Sequence, residues 1–141
     1  MKNTYSTNLN LRNVDLGLLI FRLGISALML THGIPKLVKF FGSEEIVFAD
    51  PLGFGAITTF TLAVFAEFVC SVLVILGLGT RLAVIPLIAS MAVIALIVHV
   101  PDGFGSQELP LLFLTGWVLL FFTGAGKYSL DWYLLSLKKD K

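Results

Sequence analysis

The 141-residue chain contains one cysteine, Cys70, so no internal disulfide can form and no paired-thiol redox centre or zinc cage can be built from this chain alone. Charge is nearly as scarce. Lysine, arginine, aspartate and glutamate make up 13% of the residues, and the formal net charge of +1 leaves no basic face for nucleic acid. Segments of about ten residues with alternating polarity, the signature of a membrane barrel, are also missing. What fills the chain is apolar: 57% of its residues are hydrophobic, too many for a soluble core of this length to hide.

The apolar residues gather into four runs, residues 16–34, 56–78, 82–100 and 109–123. Three have the length needed to cross ~30 Å of hydrocarbon as helix, and the fourth reaches it when extended through Glu108 and the glycines at 124 and 126. Backbone groups in lipid must be satisfied within each segment. The composition therefore predicts an all-α, four-helix transmembrane bundle with up-down-up-down connections. Arg22 interrupts the first run, Asp15 sits before it and no small-residue cleavage site follows it, so it is expected to stay as a membrane helix and not to be cleaved as a signal peptide.

Basic residues set the expected orientation. The N-terminal segment (Lys2, Arg12), the turn at 77–81 (Arg81) and the C-terminal segment (Lys127, Lys138, Lys139, Lys141) outweigh Lys36 and Lys39 of the first loop, while the third loop has none. The positive-inside rule then places both termini in the cytoplasm and residues 35–55 and 101–107 outside. On this scheme residues 1–15 form a cytoplasmic tail, 16–126 the membrane domain and 127–141 a cytoplasmic interfacial helix with a basic end. That last helix is capped by Ser129 and aligns Leu130, Tyr133, Leu134 and Leu137 on one face. The long first loop, with its four phenylalanines, is expected to lie on the membrane or to fold over the bundle.

Charges inside the spans are the strongest functional signal, because each costs ~2.5–3.5 kcal/mol even on the insertion scale. Arg22 and Glu67 are such residues. Counted at ~1.5 Å per residue from their helix ends, they differ in depth by about 7 Å, within reach of an arginine side chain, so a pair between them is expected. Glu67 shares a face with Thr59, Ala63, Ala66, Cys70 and Gly77, which turns it into the bundle. At the other end the topology gathers His32, His99 and Glu108, with Lys36 close behind. Imidazoles and a carboxylate can exchange protons near neutral pH, and an ammonium can attract an anion. No metal-ligand spacing is present and no metal site is expected.

Arg22, then His32-Gly33-Ile34-Pro35-Lys36-Leu37, Glu67, Ile75-Leu76-Gly77-Leu78-Gly79-Thr80-Arg81, His99, Glu108-Leu109 and Gly124-Ala125-Gly126-Lys127-Tyr128-Ser129-Leu130-Asp131 follow one another in an order and spacing that resemble the DoxX family from about Asp15 to Asp131. One departure is Ala125, where the family pattern has proline. The resemblance implies a small four-helix protein of the bacterial inner membrane. Some such proteins form the membrane subunit of thiosulfate:quinone oxidoreductase, and others are associated with redox or thiol stress.

The expected function is a quinone-interacting oxidoreductase subunit. His32, His99 and Glu108 carry protons, while Arg22, Lys36 and Glu67 bind substrate. Quinone is the expected exchangeable cofactor, and the expected partners are the lipid bilayer, a redox subunit and further copies of the chain. A non-enzymatic scaffold for redox partners and a small anion or acid transporter are the alternatives.

Overall fold

The structure, a computed structural model, describes residues 10–43 and 45–139. Lys2 and Lys141, used in the orientation argument, lie outside them. Five helices follow one another: α1, Leu11–Phe41; α2, Ala56–Leu76; α3, Thr80–Val98; α4, Phe104–Thr123; and the short α5, Leu130–Lys139. The first four are long and apolar enough to span a membrane, and the protein is a multi-pass membrane protein. The end bearing the 42–55 segment is called here the loop end, and the opposite end, with the start of α1 and with α5, the tail end.

Side chains are distributed as in lipid. Large apolar residues such as Leu82, Phe122, Leu112 and Ile57 stand exposed, whereas Arg22 and Glu67 are buried. The core holds Trp117, Leu87, Leu120, Val74 and Val84, with α3 packed most extensively on α4 and α1 on α2. Gly116 has no room for a side chain, because Ile25 and Phe21 of α1 press against its backbone.

Three helix boundaries differ from the hydropathy runs by more than two residues. Asn10 caps α1 by accepting from the Arg12 amide, so residues 11–15, expected in the tail, are already helical. At its other end α1 continues through Pro35 to Phe41, shortening the expected 35–55 loop to 42–55. Proline is tolerated inside a membrane helix where neighbouring groups or a local adjustment satisfy the carbonyl it leaves free. Likewise α4 starts at Phe104, giving the fourth span 20 residues where the apolar run has 15. The turn between α2 and α3 is as expected. Gly77 and Gly79 are both left-handed, and the Leu78 amide closes on the Leu73 carbonyl.

Two of the spans contain a wide π turn, Phe65–Cys70 in α2 and Ile94–Val98 in α3. Such turns leave backbone groups out of the regular ladder and recur at functional positions. The first holds Glu67, and the second ends at His99, whose amide bonds the Ile94 carbonyl. The Gln107 side chain of α4 donates to the carbonyl of Ala95 in the second π turn.

Candidate functional site

At the loop end the decisive contact is between α1 and the π turn of α2. A Cβ on Gly33 would stand 2.7 Å from the Glu67 carbonyl oxygen, so only glycine lets these backbones meet. Lys36, one turn further on, is thereby carried over the Glu67 side chain. Its Nζ donates to both carboxylate oxygens at 2.5 Å. Glu67 is 1% exposed and Lys36 26%, so a buried carboxylate is neutralised by a cation that still touches water.

The expected Arg22–Glu67 pair does not form. Arg22 turns to the tail end, donating to the carbonyls of Ala125 and Tyr128 at 2.7 Å each. The depth estimate allowed the pair, but Lys36 on the extended α1 is closer to Glu67, and the segment after α4 offers Arg22 two converging acceptors. Asp131 completes this latch. Its carboxylate accepts from the amides of Gly79 and Thr80 at the start of α3, and its own amide donates to the Gly77 carbonyl. Ser129 caps α5 as expected, accepting from the Trp132 amide.

Two cavities border Lys36, and the smaller of them also borders Glu67. One, about 220 Å³, is bordered by His32, Lys36, Glu67 and His99 together with Met29, Met91 and Phe113. The other, about 480 Å³, lies between α2 and α3 and is almost wholly apolar, with Phe65, Leu62, Val93 and Val98 among its walls and Phe48, Pro51 and Phe54 of the loop above. Lys36, Ile94 and His99 border both. The 42–55 loop thus folds over the bundle. The Lys36 ammonium stands 5.9 Å from the Phe48 ring centre, and Phe48 packs edge-on to Phe60 at 5.1 Å.

His32 and His99 come to the same site, as the topology predicted. His32 meets the edge of Phe113, 6.1 Å between ring centres. His99 Nδ1 lies 2.8 Å from Asp102, which fixes how the ring presents its other nitrogen. Glu108 does not join them. On α4 the residues that border the cavity are Ser106, Leu109, Pro110 and Phe113, one helical face, and Glu108 falls on another and is exposed.

The DoxX family pattern matches residues 17–100 of this chain. The chain belongs to the DoxX family. No curated protein and no solved structure matches it. Of the expected site residues of this DoxX protein, Arg22, His32, Lys36, Glu67 and His99 lie within the matched stretch, while Glu108 and the latch residues 124–131 lie beyond it.

Three further residues of this DoxX chain shape the site although the sequence did not single them out. Asp102 holds His99, and Gln107 ties α4 to the π turn beside it. Asp50 accepts from the amides of Phe54 and Gly55 and from the Thr59 hydroxyl, fastening the loop to the start of α2. Its carboxyl is held below the ordinary aspartate value, first by the Thr59 hydroxyl and then by backbone amides. An Asp nine residues before a Thr at a helix start was the available signal for this anchor. Among the described residues no group of histidine, cysteine, aspartate and glutamate is placed to hold a metal ion.

Proposed function

We propose that the protein is a quinone-linked oxidoreductase subunit of the bacterial inner membrane, with the loop end facing outward. The observation that carries this reading is the pair of cavities that share Lys36 and His99 as border residues. An amphipathic ring compound with an isoprenoid chain needs an apolar cavity bordered by a few hydrogen-bonding groups, and Lys36 and His99 border the otherwise apolar 480 Å³ cavity. The donor set fits. Lys36 retains an N–H beyond the two it gives to Glu67, and the imidazole of His99, held by Asp102, presents its free nitrogen.

When bound, a quinone supplies a two-electron, two-proton couple. The residues of the chain provide for the protons. Glu67 holds Lys36 by both carboxylate oxygens at the border of the smaller cavity, where the pair can exchange a proton with a bound ring. His99, 35% exposed, borders both cavities, and Asp102, more exposed still, orients its ring. His32 borders the smaller cavity as a second proton carrier. A chain with a single cysteine cannot ligate an iron–sulfur cluster by itself, so the electrons are assigned to a partner subunit.

The test is saturable binding of a fluorescent or spin-labelled quinone analogue to the purified protein in detergent. Binding is expected, and it should weaken at least tenfold in Lys36→Ala and His99→Ala. No saturable binding, or binding indifferent to both changes, overturns the proposal. Orientation is checked separately: an impermeant maleimide should label Ser43→Cys from outside intact cells.

A further inference from the structure

At the tail end, remote from the Lys36–Glu67 site, a groove of about 680 Å³ runs between the start of α3, the end of α4 and α5. Two carboxylates and two cations border it, and the carboxylates are already engaged. Asp131 uses both oxygens on the Gly79 and Thr80 amides, and Asp15 accepts from the Lys127 amide. The charge of Asp131 is further answered by Arg22 beneath it.

The cations are not engaged in this way. Arg81 and Lys127 are exposed, and among the described residues neither has a carboxylate within ion-pair distance. Arg81 makes only a long hydrogen bond, 3.3 Å, to the Phe122 carbonyl. Thr80, which also borders the groove, is 1% exposed, and its hydroxyl has no hydrogen-bond partner among the described residues. The remaining border is apolar and uncovered: Leu82, Trp132 and Leu135 stand between half and three-quarters exposed.

We propose that this groove binds an anionic phospholipid, its phosphate held between Arg81 and Lys127 and its acyl chains lying along Leu82 and the apolar side of α5. The position suits such an occupant. The groove sits at the start of span α3 and the end of span α4, and α5 beside it carries the Trp132, Tyr133 and Lys138 of an interfacial helix. A bound lipid there also bridges α3 and α5, the two elements that the Asp131 latch joins.

The test uses the full chain in neutral detergent with phosphatidylglycerol, phosphatidylcholine or inorganic phosphate added. Native mass spectrometry counts retained lipid, and the thermal midpoint reports stabilisation. Phosphatidylglycerol is expected to be retained over phosphatidylcholine, with the preference falling roughly fivefold for each cation removed in Arg81→Gln and Lys127→Gln. Both side chains are exposed, so these variants fold, which an unchanged midpoint in phosphatidylcholine verifies. Lys138→Gln removes a charge outside the groove and should leave the preference intact. Equal retention of the two lipids, an equal loss in Lys138→Gln, or a midpoint shift reproduced by inorganic phosphate alone overturns the proposal.

Discussion

At the tail end of the bundle Arg22 is 2% exposed and spends its charge on two backbone carbonyls, while at the loop end Lys36 is partly exposed and holds a buried carboxylate beside two cavities. Both ends bury charge, but Glu67 and Lys36 themselves border a cavity, whereas Arg22 does not border the tail-end groove. The difference separates a latch from a site. A charge enclosed by carbonyls of its own chain fixes geometry and has nowhere to pass a proton, whereas a carboxylate and ammonium lining a cavity can change partners.

The comparison is broken most severely by Arg22→Met. It leaves the Ala125 and Tyr128 carbonyls unpaired and loosens the segment that carries Asp131, at an expected cost of about 3–5 kcal/mol in denaturant unfolding. Binding of the quinone analogue by the folded fraction should be unchanged. Arg22→Lys keeps the charge but loses the planar fork that serves the two carbonyls from separate nitrogens, so it should recover only part of the loss. Reduced analogue affinity in Arg22→Lys at full stability would show that the tail end belongs to the site after all.

Gly33→Ala attacks the loop end through packing. The added methyl meets the Glu67 carbonyl and forces α1 from α2, which is expected to cost about 1–3 kcal/mol and to lengthen the Lys36–Glu67 contact. Glu67→Gln removes the charge but keeps the volume. Because Lys36 can turn to water, the stability loss should be only about 1 kcal/mol, yet analogue binding should weaken roughly tenfold. The ratio of these two effects distinguishes a site from a latch: for Arg22 it is the stability that falls and the binding that stays.

The four spans were legible in the sequence because hydropathy over twenty residues is a strong signal, and the two-glycine turn at Gly77 and Gly79 was legible because left-handed backbone demands glycine. The partner of Glu67 was not. Lys36 follows Pro35 and a falling hydropathy, so it read as loop, and the depth arithmetic was left with Arg22 alone. The helical spacing His32-Gly33-Lys36 held the missing signal, since a glycine one turn before a lysine allows close approach on that face. Glu108 failed for a matter of phase: starting α4 at Phe104 turns Ser106, Leu109 and Phe113 to the cavity and Glu108 away. The π turns leave no mark in hydropathy, because they change which carbonyl an amide reaches and not which residues are apolar.

The smallest expected effect concerns the loop that covers the site. Asp50 fastens it through the Phe54 and Gly55 amides and the Thr59 hydroxyl, and these bonds hold its carboxyl below the ordinary value. A carboxyl lowered in the folded state adds stability that is fully present above its unfolded value, about 3.9, and lost as pH falls through the folded one. Between pH 7 and about 5 the anchor should therefore be complete, and it should weaken only below about pH 4. Hydrogen exchange at the Phe54 and Gly55 amides measures it. Their protection should be constant across the neutral range and drop in acid, while Asp50→Asn, which cannot ionise, should show reduced protection already at pH 6 with little further change. Equal protection of the two proteins at pH 6 would mean that the phenylalanines of the loop, packed on Phe60, hold it down without the carboxylate.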